Sequence, residues 1–378
     1  MDDRKYWLAL GRFPGISVDA AQVLLDAFGS IDAIFDSRTP QLTAALPDAS
    51  PLIEFICSGV NEALMADELE WLQQPNNHLL TYFDRAYPPL LRQINSPPLL
   101  LYVHGNPETL SLPQLAIVGS RNPTMGGRNN AQAFAAALVR TGFTITSGLA
   151  QGIDGEAHRA TIDAGGRTVA VMGTGLKRVY PAAHRELAHV IADHGALVSE
   201  FPLDAPPRRE HFPQRNRIIA GLSLGTLVVE AAVKSGSLIT ARLAGDYGRE
   251  VFAIPGSIHS PLSKGCHRLI RQGAKLVETA DDIAEELGAL VQGLRQSLPE
   301  AGKMEDGNTN DEFDRLLDLI GYDPVNLDAL VEHSGLTTEA ISSMLLRMEL
   351  EGMVEIVPGG NYQRIGQHNG GALARKGN

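Results

Sequence analysis

Short runs of apolar residues recur between residues 79 and 290, and most of them end in glycine or a small polar residue. The clearest runs are LAIVGS, FTITSG, RTVAVMG, ALVSE, GTLVVE and EVFAIPG. Segments with helical periodicity, such as RNNAQAFAAALVRTG, separate them. Strands that are apolar at every position are typical of a parallel sheet covered by helices on both faces. The pattern therefore predicts an extended Rossmann-like, doubly wound α/β domain, and the preceding LLLYVHG run predicts an extension of its sheet.

The first 75 residues follow a different, helical pattern. Over residues 12–35 the order is a Pro-Gly turn, a helix, a Gly-Ser turn and a second helix. This order suits a small helix-hairpin-helix or sterile-alpha-motif-like domain. Such domains either contact a DNA backbone through the glycine turn or only pack their helices, and the pattern favours packing without deciding between the two.

The C-terminal part predicts a separate small domain. Residues 293–310 are polar and predict a linker. Residues 311–366 contain three helical patterns and then MVEIVPGGNYQRI, a hairpin with Pro-Gly-Gly at its tip. Three helices followed by a hairpin predict a winged helix. The polar residues 367–378 predict a disordered tail.

Composition places the chain among cytoplasmic globular proteins. Of its 378 residues, 44% are hydrophobic and 20% are charged. No apolar run approaches the roughly 20 residues that span a bilayer, and two acids near the N-terminus argue against a signal peptide. Cys57 and Cys266 lie far apart in the chain, which indicates neither a disulfide framework nor a zinc site.

The net charge of −12 is distributed unevenly. Residues 115–280 contain 19 basic and 12 acidic residues, so the acidic excess lies in the flanking segments. A basic middle segment in an acidic chain points to an anionic partner, although a chance imbalance on a solvated surface gives the same count.

Several glycine-containing turns follow the predicted strands, and they are candidates for anion binding. They are GSR at 119–121, SGLAQGID at 147–154, GTGLKRVYP at 173–181, SEFP at 199–202 and KSGSLIT at 234–240. In a doubly wound sheet such turns meet at one edge, where amide donors at helix N-termini favour phosphate. One turn alone is as easily explained by tight packing. Several turns around one crevice, with cations among them, favour a phosphate site.

The segment FPQRNRIIAG contributes two arginines to this region. We expect Arg215 and Arg217 to bind phosphates with Arg121 across the crevice, and Phe212 to stack on bases. The alternative is that one arginine pairs with a buried acid such as Glu230 and holds the fold.

Motifs for several other chemistries are missing. The chain has no G-x-G-x-x-G dinucleotide fingerprint, no P-loop and no G-x-S-x-G nucleophile elbow, so we predict no cofactor. Three histidines spaced by five, at 184, 189 and 194, spread around a helix and form no metal site. Asp154, Glu156 and His158 could support acid–base chemistry, but we favour a helix-capping role for Asp154.

The motifs AIVGSRNPT, SGLAQGIDGEAH, GTGLKRVYP, FPQRNRIIAGLS, VVEAAVKSGSLITARLAGDYGREVFAIPG and KGCHRLIRQGA occur in this order between about residues 80 and 280. Together they closely resemble the DNA-processing protein A family, whose members are called DprA or Smf. The resemblance implies a protein that binds single-stranded DNA, forms a homodimer through the Rossmann-like domain and is not an enzyme. It also implies a role in natural transformation, in which the protein protects incoming strands and loads RecA onto them where single-strand-binding protein would block access.

Together the turns and the resemblance predict a set of DNA-contacting residues. They are Gly119, Ser120, Arg121, Gly148, Lys177, Arg178, Phe212, Arg215, Asn216, Arg217, Ser235, Gly236, Ser237 and Lys264. Three positions depart from the family pattern: Lys177 stands where aspartate is common, and His184 and His267 stand where asparagine is common. The change at Lys177 adds positive charge near the predicted groove.

Two other functions fit less well. The fold also resembles the lysine-decarboxylase-like phosphoribohydrolases, which act on nucleotides, but their P-G-G-x-G-T motif is missing after the GTLVVE strand. A duplex-DNA repressor that acts through the winged helix would need a basic recognition helix, and residues 311–333 are acidic. A protein-interaction role suits that segment better.

Overall fold

Helices and strands follow the predicted order in the computed structural model of the chain. The structure describes residues 3–297 and, beyond them, residues 316, 319–320, 324–334, 336–337, 341, 344–345, 348, 354–357 and 361–364. The chain divides into two units, residues 1–298 and 299–378. No helix within the described ranges is both long and apolar enough to cross a membrane.

The first unit begins with six short helices. They are α1 (Arg4–Gly11), α2 (Val18–Phe28), α3 (Ile31–Phe35), α4 (Thr39–Ala45), α5 (Ser50–Cys57) and α6 (Ala66–Trp71). The predicted turn between α2 and α3 is confirmed. Gly29 ends α2 with φ of +82°, a conformation that favours glycine, and the Ser30 hydroxyl accepts a hydrogen bond from the Ala33 amide to begin α3.

A nine-stranded sheet follows these helices. Its strands are β1 (Asn77–Thr81), β2 (Leu100–Gly105), β3 (Gln114–Val118), β4 (Thr144–Ser147), β5 (Thr168–Val171), β6 (Gly195–Ser199), β7 (Gly225–Val228), β8 (Glu250–Ala253) and β9 (Lys275–Leu276). Their spatial order is β1-β2-β6-β5-β4-β3-β7-β8-β9. Strands β3 to β9 run parallel, whereas β1 and β2 add an antiparallel edge. The predicted doubly wound sheet and its extension are therefore confirmed.

Helices cover both faces of the sheet. They are α7 (Pro89–Arg92), α8 (Met125–Arg140), α9 (Ile153–Asp163), α10 (Arg185–His194), α11 (His211–Leu222), α12 (Ser237–Asp246), α13 (Lys264–Arg271) and α14 (Ala280–Ser297). All five residues of β3 are buried, because Ala116 and Val118 pack against one layer of helices while Leu115 and Ile117 pack against the other. This two-sided burial is why the strand is apolar throughout.

The N-terminal helices share a hydrophobic core with the edge of this sheet. Leu10, Leu24 and Ile56 from the helices lie in one buried cluster with Leu99 and Leu100, where β2 begins. The helical segment and the sheet therefore belong to the same unit of the structure.

The second unit contains the helix α15 (Leu327–Ser334) and a hairpin of β10 (Val354–Val357) and β11 (Asn361–Arg364). A small cluster that includes Leu316, Leu330 and Val354 forms its core. The predicted terminal hairpin is confirmed. The predicted start of the linker is wrong, because residues 293–297 form the end of α14. The rest of the predicted linker and the predicted tail at 367–378 lie outside the described residues.

Candidate nucleic-acid interface

A cavity opens where the strand order of the sheet reverses. From β3 the chain winds in one direction through β4, β5 and β6, and then returns to place β7 on the other side of β3. In a sheet of this kind, ligands bind beside the carboxyl ends of the strands at that switch point. A cavity of about 700 Å³ lies there, lined by the residues after β3, the residues after β7 and the first half of α11.

The turn before α12 forms one part of the cavity wall. The hydroxyls of Ser235 and Ser237 lie 2.7 Å apart, and the Ser237 amide donates a hydrogen bond to the Ser235 hydroxyl over 3.3 Å. Asn216 on α11 donates to the carbonyl of Gly236, which ties this turn to the neighbouring helix. Hydroxyls and amides at the N-terminus of a ten-residue helix form a favourable environment for a phosphate.

The turn after β3 forms a second part of the wall. Gly119 packs closely against α9, since a side chain there would have its Cβ 2.6 Å from the Ile153 side chain. The Ser120 hydroxyl accepts a hydrogen bond from the Asn122 amide, which shapes the turn. Arg121 is exposed, and its guanidinium carbon lies 5.8 Å from the centre of the Phe212 ring. Arg121 is therefore positioned at the cavity with its charge open to solvent.

Two cations and one aromatic residue of the cavity lining were missing from the set predicted from sequence. Arg209 and Lys234 are exposed cations, and Tyr180 is an exposed aromatic residue. Among the lining residues in the described part of the chain, Asp154 is the only acid, and its carboxylate accepts from the amides of Gly148 and Ala150. Lys234 begins the KSGS segment and Arg209 lies in PPRRE, but nothing local to either segment shows that both residues reach the same cavity.

Arg215 corrects an expectation drawn from the sequence. Its side chain reaches the cavity but is only 4% exposed, and its Nη1 donates to the carbonyls of Gly148 and Val171. A Cβ at Gly148 would collide with the guanidinium, so glycine makes room for it. Burial lowers the pKa of Arg215 to about 10, and the nearby Asp154 opposes this shift. Arg215 therefore joins α11 to the ends of β4 and β5 from inside the fold.

Arg217, unlike Arg215, does not line the cavity. Its guanidinium pairs with the Glu200 carboxylate and donates to the carbonyl of Ser96, within a second, smaller cavity. The pKa of Glu200 is raised by burial, and Arg217 opposes that rise. The alternative expectation, an arginine that pairs with a buried acid and holds the fold, thus applies to Arg217. Its partner is Glu200, and not Glu230 as suggested from the sequence. Glu230 instead accepts from the amide and hydroxyl of Thr124, the N-cap residue of α8.

The other predicted residues lie outside the cavity lining. Gly148 contributes its carbonyl to Arg215. Lys177 is exposed and pairs with Asp67 of α6, so its charge is directed to the N-terminal helices. The expectation that Lys177 adds positive charge near the groove is therefore corrected. Arg178 donates to the Asp204 carbonyl, and Lys264 is exposed at the start of α13.

The two histidine departures both form hydrogen bonds with backbone carbonyls. His184 is buried, and its Nδ1 lies 3.0 Å from the carbonyl oxygen of Leu149. The Nε2 atom of His267 lies 3.0 Å from the carbonyl oxygen of Gly256. Both side chains thus fix loops at the carboxyl edge of the sheet.

The residues considered for acid–base chemistry have three different surroundings. Asp154 is the second residue of α9 and accepts from loop amides, so it does not cap the helix as expected. Glu156 binds Arg128 and Gln132, and His158 is fully buried against the Thr168 hydroxyl. The structure does not bring these three groups together around a common substrate position.

The cavity can hold a chain of phosphates with aromatic contacts beside it. Arg121, Arg209 and Lys234 present their charges to solvent, whereas the lining acid is engaged with the backbone. The turn from Ser235 to Ser237, called the serine turn below, supplies hydrogen-bond donors. Phe212 and Tyr180 supply aromatic rings. Cations that follow a groove, combined with aromatic rings, are the elements with which proteins bind single-stranded nucleic acid.

The sequence and the fold are similar to those of known proteins. Residues 78–288 match the model of the family described as DNA recombination-mediator protein A, and residues 301–360 match the DprA winged helix domain. Protein Smf of Escherichia coli is 45% identical over 301 residues, which cover 78% of this chain and 79% of that protein. Protein Smf of Synechocystis is 35% identical and covers 96% of this chain and 99% of its own length.

Two solved structures share the fold. The X-ray structure of DNA processing protein A from Streptococcus pneumoniae has a TM-score of 0.66 and 35% identity, and covers 75% of this chain and 97% of that one. A structure of DNA processing protein A from Helicobacter pylori, described for its single-stranded DNA binding mode, has a TM-score of 0.51 and 28% identity, and covers 56% of this chain and 96% of that one. With both domains and the order of the motifs in agreement, the chain belongs to the DNA recombination-mediator protein A family, also called DprA or Smf.

Proposed function

We propose that this protein binds single-stranded DNA in the cavity between the ends of β3 and β7. The observation that carries the proposal is the combination of three exposed cations, a serine-rich helix start and two aromatic rings around one cavity. The Helicobacter pylori relative, described with a single-stranded DNA binding mode, supports the same ligand class. The basic charge of residues 115–280 in an acidic chain supports a polyanion as the ligand.

In this arrangement the phosphates lie along Arg121, Lys234, Arg209 and the turn from Ser235 to Ser237. Arg121 presents a planar fork of donors, and the serine turn presents hydroxyls and amides at the positive end of α12. Contacts of this kind hold the strand without reading its sequence. The protein therefore binds single strands of any sequence with similar affinity.

The Arg121→Ala variant tests the phosphate contact. The affinity for a single strand falls as salt rises, and each phosphate contact adds about 0.7 to the steepness of log affinity against log salt. Loss of one contact therefore makes this slope shallower by about 0.7. We expect this decrease, a weaker affinity for all sequences and an unchanged melting temperature, because Arg121 is exposed. Fluorescence anisotropy with labelled oligonucleotides at several salt concentrations measures the affinity and the salt slope, and differential scanning calorimetry measures the melting temperature.

Arg140→Ala provides the matched control. Arg140 is also exposed, but it ends α8 on the way to β4 and so lies at the opposite end of the sheet. The control variant should bind with the wild-type affinity and salt slope. An Arg121→Ala protein that keeps the wild-type salt slope would refute the phosphate contact.

We further propose that the protein acts as a homodimer in the cytoplasm and transfers the bound strand to RecA during natural transformation. Membership of a recombination-mediator family supports this role, and it includes relief of the block imposed by single-strand-binding protein. A RecA filament assay on DNA already coated with single-strand-binding protein tests it. The wild-type protein should accelerate filament growth, and Arg121→Ala should do so less; no acceleration by the wild type would contradict the role.

A further inference from the structure

Tyr180 is a large aromatic residue exposed at the cavity. It follows β5 in the GTGLKRVYP turn, and 47% of its surface is open to solvent. Its ring centre lies 5.6 Å from that of Phe212, with a tilt of 52° between the two planes. An exposed tyrosine that adjoins a second ring, in a cavity with exposed cations, provides apolar surface that a ligand can cover.

Arg121, Phe212 and Tyr180 form a continuous row along the cavity. The Arg121 guanidinium carbon lies 5.8 Å from the Phe212 ring centre, and Tyr180 contacts Phe212. The Phe212 ring also lies close to the backbone at Gly173, where an added Cβ would be 2.9 Å from a ring carbon. The central ring of the row is therefore held between a cation, a backbone and a second ring.

The row and the serine turn approach the cavity from opposite directions along the sheet edge. Tyr180 follows β5 and Arg121 follows β3, whereas the turn from Ser235 to Ser237 follows β7 on the other side of β3. One side of the cavity is thus aromatic, and the other side is rich in hydroxyls and amides. A nucleotide has a matching division between its base and its phosphate.

We infer that Tyr180 extends the Phe212 ring into a platform for unpaired bases and so determines the preference for single strands over duplex. The inference rests on the proposed function. It adds to that function Tyr180 as a binding residue and the unpaired base as the part of the ligand that this residue contacts. Bases in a duplex are already stacked on one another and cannot lie on these rings, whereas the bases of a single strand are free to do so. Phosphate contacts alone would give no such preference.

The experiment compares two ligands of equal length and charge with the full chain. One is an oligodeoxythymidylate, and the other is an abasic deoxyribose-phosphate oligomer that keeps every phosphate and lacks the bases. Tyr180→Ala should bind the thymidylate roughly 5- to 150-fold more weakly than wild type, the usual range for one stacked base, and should bind the abasic oligomer equally well. Tyr180→Phe should keep the wild-type affinity for both.

Arg121→Ala is the contrasting variant, since loss of a phosphate contact weakens both oligomers equally. Tyr180→Leu keeps an apolar side chain against Phe212 and lacks an aromatic face, so it replaces Tyr180→Ala if the latter melts lower than wild type. Equal weakening of both oligomers by the Tyr180 variants, or no weakening of either, would overturn the platform while leaving the phosphate site in place. Failure of the wild type to bind either oligomer would overturn the proposed function itself.

Discussion

The Arg215→Ala variant should unfold far more easily than the wild type. The substitution leaves the carbonyls of Gly148 and Val171 without their donor and leaves Asp154 buried without a nearby cation. Removal of one member of a buried charged group costs about 3–5 kcal/mol of unfolding free energy. In a folded unit of this size such a loss lowers the melting temperature by roughly 5–8 °C, which differential scanning calorimetry can measure.

Arg121→Ala serves as the comparison for this variant, because an exposed arginine changes stability by less than about 0.5 kcal/mol. The two substitutions should therefore have different effects. Arg215→Ala lowers the melting temperature, and Arg121→Ala changes the salt dependence of DNA binding. If Arg215→Ala melted like the wild type and its salt slope decreased, Arg215 would contact phosphate and the assignment made from its burial would be wrong.

The different roles of the arginines also show how far the sequence could predict this site. Apolar runs, most of which end in glycine or a small polar residue, predicted the strands β2 to β8, because burial on both faces of a sheet leaves a clear pattern. The serine turn before α12 was predictable for a similar reason, since Ser-Gly-Ser directly before an apolar helix is a local signal. Local patterns were therefore sufficient for the framework and for the anion-binding turn.

The direction of a long side chain is not a local property. Arg215 and Arg217 lie two residues apart on α11, so they project in different directions: one bonds to the ends of β4 and β5, and the other to Glu200 after β6. Nothing within the segment FPQRNRIIAG reveals these partners, which lie at least 17 residues away along the chain. Arg209 and Lys234 were missed for the same reason, because only the folded sheet brings them to one cavity.

The triple variant Arg121→Ala, Arg209→Ala and Lys234→Ala should lose most of its affinity for DNA. Each side chain is exposed at the cavity, and each hydrogen bond to a charged group contributes about 1.5–3 kcal/mol. Cations from the salt partly neutralise the phosphates that lose a protein contact. We still expect the triple variant to bind a single strand at least about a hundredfold more weakly than wild type. The salt slope should fall by about 2, since each lost phosphate contact removes about 0.7.

A charge-matched variant separates the cavity from a general effect of net charge. Arg85, Arg140 and Arg271 are exposed arginines that do not line the cavity, and their replacement by alanine removes the same three charges. This control should bind within a few-fold of wild type. Similar losses in the two triple variants would mean that diffuse positive charge attracts DNA, without a defined site.

The central claim is that the cavity at the switch point of the sheet binds single strands through both phosphates and bases. A binding isotherm of the wild-type protein with single-stranded and double-stranded DNA of equal length, at one salt concentration, tests it most directly. We predict that the single strand binds at least about tenfold more tightly, because its bases can stack on Phe212 and Tyr180. A surface that attracted only phosphates would prefer the duplex, in which charges lie closer together. Equal or tighter binding of the duplex would contradict the claim.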